Sequence, residues 1–121
     1  MRNLYVFGNE YLEDDNFGHK VAQHLKKKFK IVTCYSPETL LDAGEKEIII
    51  LDVVKNAEKP IIIDDISKLK TNKIISLHDF DLGFFLNLMN NMGIKRKIKI
   101  IGIPAKGNIR ETTRKVIGLI G

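Results

Sequence analysis

The 121-residue sequence has one cysteine, three prolines and no tryptophan. A lone Cys34 excludes an intramolecular disulfide, and a closed structural zinc site needs several thiolates or imidazoles grouped together, which the chain does not offer. Long apolar runs are also missing. The longest, such as Ile48 to Leu51, fall far short of the roughly 20 residues of a membrane span. Met1 to Gly8 lacks the extended apolar region of a secretory leader, so a cytoplasmic location without membrane insertion is expected. No repeat, low-complexity tract or linker interrupts the chain, and its length suits one domain over residues 1–121.

What the sequence does contain is an ordinary globular balance, 44% hydrophobic and 29% charged, with a net charge of +5. Much of the excess lies in Lys26-Lys27-Lys28, read as part of a helix, and in Lys95-Arg96-Lys97, just before a strand. Aromatics are 7% of the residues and sit at core-like spacing, so no basic face interleaved with aromatics emerges. The charge is read as solvated surface, and no nucleic-acid partner is expected.

Short apolar runs alternate with amphipathic ones. Leu4–Phe7 reads as a buried first strand. Phe17, Val21, Ala22, Leu25 and Phe29 form one face of a helix spanning Phe17–Phe29. Ile31–Tyr35 follows as a strand, then a short helix Pro37–Ala43 with Ser36 as its cap and Gly44 as its end. Glu47–Val54 is apolar on both faces apart from Asp52, the mark of a central strand. Only the Lys55–Lys59 stretch separates it from Ile61–Ile63, too little for a parallel return, so the two are expected to run antiparallel. Beyond them come an apolar segment Lys73–Leu77, a helix Phe80–Met92 ended by Gly93, and a last strand Ile98–Ile103 stopped by Pro104. Asn108, with Glu111 three residues on, caps a final helix whose Thr113, Val116, Ile117 and Ile120 face inward. The order implies an α/β fold: a single-domain three-layer sandwich with a mixed, mostly parallel five-stranded sheet and helices on both faces.

Sites in such folds collect outside the carboxyl ends of the parallel strands. Three positions fall there. Asp14 and Asp15 precede the first helix, where negative charge is favoured and where either could simply cap it. Asp52 is an ionisable residue late in an apolar strand, costly if desolvated and unpaired. His78 follows a strand-like segment and, alone, would read as a capping or packing residue. Two aspartates and a histidine together give oxygen and nitrogen ligands with open positions, as in a catalytic rather than a closed metal site. His19 and His24 lie on the first helix without an evident ligand partner, His24 exposed, and Cys34 reads as a buried, inert thiol. No G-x-G-x-x-G, G-x-S-x-G or H-E-x-x-H pattern is present.

Several blocks, in order, resemble the hydrogenase maturation protease family, endopeptidases that trim the C-terminal extension of the nickel-iron hydrogenase large subunit. They are Val6-Phe7-Gly8-Asn9 followed by Asp14-Asp15 and Gly18, then Ile48-Ile49-Ile50-Leu51-Asp52-Val53, Ser76-Leu77-His78-Asp79-Phe80-Asp81-Leu82-Gly83, and Ile100-Ile101-Gly102-Ile103-Pro104. The resemblance implies a mixed sheet with one antiparallel strand. It implies Asp15, Asp52 and His78 as ligands of nickel or another divalent metal, an ion that the substrate could supply; Asp14, beside the site, could assist as a base. The implied activity is a hydrolase acting on a hydrogenase large-subunit precursor after nickel insertion. Asn16 stands where many members have glycine, and Thr33-Cys34-Tyr35-Ser36 replaces an Asp-Gly-Gly-Thr-like stretch. Two other readings stay open: a family-derived metal-binding protein without proteolysis, and a phosphoacceptor receiver domain phosphorylated on Asp52. The hairpin-length link after the Asp52 strand speaks against the receiver.

Overall fold

The computed structural model describes residues 1–7, 13–35, 37–54, 57–63 and 97–121. Five strands make one sheet: β1 (Arg2–Phe7), β2 (Phe29–Cys34), β3 (Glu47–Val53), β4 (Ile61–Ile63) and β5 (Lys97–Ile103). Helix α1 (Glu13–Gln23) joins β1 to β2, a 3-10 helix (Pro37–Asp42) joins β2 to β3, and α2 (Ile109–Ile120) follows β5. Strand order is β2-β1-β3-β5-β4. Every neighbouring pair is parallel except β4 with β5. The expected α/β sheet, mostly parallel with one antiparallel strand, is therefore present. The expected segment at 73–77 and helix at 80–92 lie outside the described residues.

Two expectations need correction. The apolar spacing from Phe17 to Phe29 suggested one continuous helix, but α1 ends at Gln23. Beyond it the backbone tightens into turns, with His24 N–H donating to Val21 O at 3.0 Å and Lys28 N–H to Leu25 O at 3.0 Å. Leu25 stays fully buried from within this turn, and Phe29 already opens β2. Periodicity alone cannot separate a helix from a helix followed by a turn that keeps the same side inward. The Lys26–Lys28 run accordingly lies on an exposed turn.

The second correction concerns β4. It runs antiparallel to the sheet as expected, yet its ladder partner is β5, with Ile61 opposite Gly102 and Ile63 opposite Ile100. The chain leaving β3 thus passes over β5 to reach the sheet's next position. Gly102 makes that crossing feasible, since a Cβ there would stand 2.5 Å from Val54 Cγ2 and 3.2 Å from Ile61 Cγ1.

Strand alternation divides the core into two. Leu4, Val6, Ile49, Leu51, Val53, Ile101 and Ile103 face α1 and α2, whose Phe17, Val21, Val116 and Ile120 cover them. Tyr5, Phe7, Ile48, Ile50, Val54 and Ile100 face the other way, against Leu40 of the 3-10 helix and Ala43 just after it. The α2 cap forms as expected: Glu111 N–H donates to Asn108 Oδ1 at 2.9 Å. The Glu111 carboxylate meets Lys115 at 3.2 Å, one turn along the helix.

Candidate active site

Asp52 is the penultimate residue of β3, 1% exposed, in a strand whose residues after Glu47 are otherwise all buried and aliphatic. Alternation sends its side chain to the Ile50 side of the sheet, away from α1 and α2. A buried carboxylate persists only where hydrogen bonds or a cation answer its charge. The Val53 N–H gives one such bond to Oδ1 at 2.9 Å, which fixes the carboxylate at the strand end. The residue across the ladder is Gly102, so no β5 side chain stands beside Asp52 on that face.

Helix α1 brings the acidic pair to the same rim. Its sequence begins Glu-Asp-Asp, so Asp14 and Asp15 occupy the first turn. Gly18 lies over the end of β3, where an added Cβ would meet Val53 Cγ2 at 3.2 Å. Asp15, three residues earlier, is about 4.5 Å further along the helix axis, beyond the strand end. The helix and Asp52 belong to opposite faces of the sheet, so they can share a site only over its carboxyl rim. The side chains of Asp14 and Asp15, and all of His78, lie outside the described residues. Among the described residues no group of three His, Cys, Asp or Glu side chains forms a metal-holding cluster.

The remaining candidates take structural places. His19 is buried on α1, whereas His24 is exposed in the turn after it. Cys34 ends β2 with its thiol 3.5 Å from Val32 O; burial pushes its pKa up to about 11, which suits an inert thiol. A polar cluster not evident from sequence occupies the opposite rim. Glu45 accepts from Asn3 Nδ2 at 2.8 Å and from Tyr5 Oη at 2.7 Å. Burial first, then the bond to Glu45, raises the Tyr5 pKa. The only sequence signal for it was a tyrosine inside an apolar strand. It locks the segment before β3 onto β1, far from Asp52.

The receiver reading fails on the topology: β3 leads through a short link to an antiparallel strand, not through a crossover helix to a parallel one. Among the described residues no helix is long and apolar enough to cross a membrane.

Residues 34–114, about two thirds of the chain, match the family described as Hydrogenase maturation protease (HycI). The matched stretch holds Asp52 and His78, and Asp14 and Asp15 precede it. No curated protein sequence matches. Among solved structures, the hydrogenase maturating endopeptidase HybD from E. coli is similar with a TM-score of 0.63 at 22% identity, over 99% of this chain and 92% of that one. A solution structure of an endopeptidase from Escherichia coli is similar with a TM-score of 0.64 at 21% identity, with the same coverage. These likenesses bear on the fold, and the family match bears on the activity. The chain belongs to the hydrogenase maturation protease family, a family of peptidases.

Proposed function

We propose that the chain is a nickel-dependent endopeptidase that removes the C-terminal extension of a nickel-iron hydrogenase large-subunit precursor after nickel insertion. The observation that carries the reading is Asp52: a carboxylate 1% exposed, held at the carboxyl end of the central strand, within the stretch that matches the family. A folding domain keeps such a charge at a cost, and chemistry at the rim is a reason to keep it.

Asp15, Asp52 and His78 are the residues that would hold a divalent ion. Two carboxylates and one imidazole suit nickel and related divalent ions and leave coordination positions open. An ion bound there would supply Lewis-acid polarisation of the scissile carbonyl. Nickel that arrives inside the precursor is part of the substrate. The chain's own contribution is positional. The Val53 N–H orients Asp52, and Gly18 lets α1 come close enough to β3 for Asp15 to stand at the same rim. Asp14, on the same helical turn, is assigned the role of a base toward the attacking water.

The test is incubation with nickel-loaded and nickel-free precursor, read by intact mass. Loss of the C-terminal peptide from the loaded form alone is the expected result. Equal cleavage of both forms overturns the nickel requirement. Cleavage of neither overturns the protease reading in favour of a family member that has lost proteolysis.

A further inference from the structure

On the α1–α2 side of the sheet, the turn after α1 and one flank of α2 border a groove of about 370 Å³ lined by His24, Lys28, Arg110, Thr113, Arg114 and Ile117. Arg110 and Arg114 are four apart and Thr113 and Ile117 fall beside them, so these four form one stripe along α2. The Thr113 hydroxyl already donates to Ile109 O at 2.7 Å, which leaves the basic side chains as the groove's polar character. Among the described residues no carboxylate lines it. The acid nearby on α2, Glu111, is engaged with Lys115 on another side of the helix. Three cationic side chains, Lys28, Arg110 and Arg114, therefore converge with the His24 imidazole on one concavity whose wall includes an aliphatic residue, and Lys26 and Lys27 extend the positive field from the exposed turn.

We propose that this groove docks an acidic segment of the protein substrate. The inference rests on the reading of the chain as a maturation endopeptidase, whose substrate is another protein. Three features favour an acidic peptide over a nucleic acid. The basic cluster is compact instead of forming a long stripe, no aromatic side chain lines it among the described residues, and Ile117 provides apolar contact for a peptide side chain. Position favours the same partner. Helix α2 starts just past the carboxyl end of β5, so Arg110, on its first turn, is the groove's residue on α2 nearest the rim that carries Asp52. A precursor held there is anchored by charge while its terminus reaches the rim.

The test uses the whole chain and a fluorescein-labelled peptide of repeated Glu-Glu-Leu, with binding followed by anisotropy at low salt. A Lys-Lys-Leu peptide and a short DNA duplex serve as comparisons. The acidic peptide should bind and the basic one should not. The double variant Arg110→Glu with Arg114→Glu should weaken acidic-peptide binding about tenfold or more, as expected for reversing two charges at a contact surface. The variant Lys30→Glu with Lys46→Glu makes the same change in net charge at exposed positions away from the groove, and should shift binding by about twofold or less. Equal weakening by both variants, absence of binding by the native chain, or tighter binding of the duplex that is lost in the groove variant would each overturn the proposal. Binding is read without turnover, so a chain that cleaves no precursor fails the protease reading without altering this result.

Discussion

Gly102 stands opposite Asp52 in the β3–β5 ladder, and the space its missing side chain leaves is filled by Val54 Cγ2, 2.5 Å from where a Cβ would be. The pairing ties the crossing between β3 and β4 to the one described candidate carboxylate. The chain must step over β5 directly after β3, and a side chain at position 102 would crowd that step against Val54 and Ile61.

Gly102→Ala should therefore destabilise the fold by about 1–3 kcal/mol, the usual cost of overpacking a buried site. Urea unfolding measures it. Trimming the obstacle in the double variant with Val54→Ala should cost less than the sum of the two single changes, because the two side chains compete for one space. Strict additivity would show that the clash is relieved elsewhere.

Gly18→Ala separates stability from activity. The new methyl would sit 3.2 Å from Val53 Cγ2, so either Val53 or the first turns of α1 must give by a few tenths of an ångström. Replacing glycine inside a helix returns about 1 kcal/mol of propensity, which offsets that strain. The unfolding midpoint should change little, while precursor cleavage should fall about tenfold or more, since small misplacements at reacting groups are costly. Unchanged cleavage would mean that the α1–β3 spacing does not set the geometry of the rim.

Alkaline stability should carry the signature of Cys34. Its thiol titrates near 9 when unfolded and at about 11 when folded, because burial disfavours the thiolate. Above pH 9 the unfolded chain releases a proton that the folded chain keeps, so stability falls. The loss begins near pH 9 and is complete by about pH 11, with a size of about 2 kcal/mol or less. Tyr5, also raised by burial, adds to the fall above pH 10. Cys34→Ala should remove the portion that starts near pH 9 and leave the tyrosine portion, as read from urea midpoints across that range.

The sheet was largely legible from residue pattern. The aliphatic run around Ile49 and Ile101 could be buried only in central parallel strands, and the short link before Ile61 forced a reversal of direction. The identity of β4's neighbour was not legible, because it depends on β5, 34 residues further along the chain, lying between β3 and β4 in the sheet. The end of α1 was hidden for a different reason: Leu25 and Phe29 stay inward through a turn and a strand start, and so mimic helical spacing. At the site, Asp52 announced itself as a charge in an apolar strand. The packing roles of Gly18 and Gly102 were silent, since they rest on contacts between elements far apart in sequence. The groove at Arg110 and Arg114 was equally silent, because its other wall comes from the turn after α1.

The central claim is that Asp52 is held at the rim for chemistry and not for stability. The direct measurement is processing of nickel-loaded precursor by Asp52→Asn, a change that keeps the side chain's shape and an oxygen able to accept from the Val53 N–H. The account predicts a folded variant, with native circular dichroism and a thermal midpoint equal to or above that of the parent, that releases no C-terminal peptide. Cleavage at the parent's rate by the folded variant would contradict it.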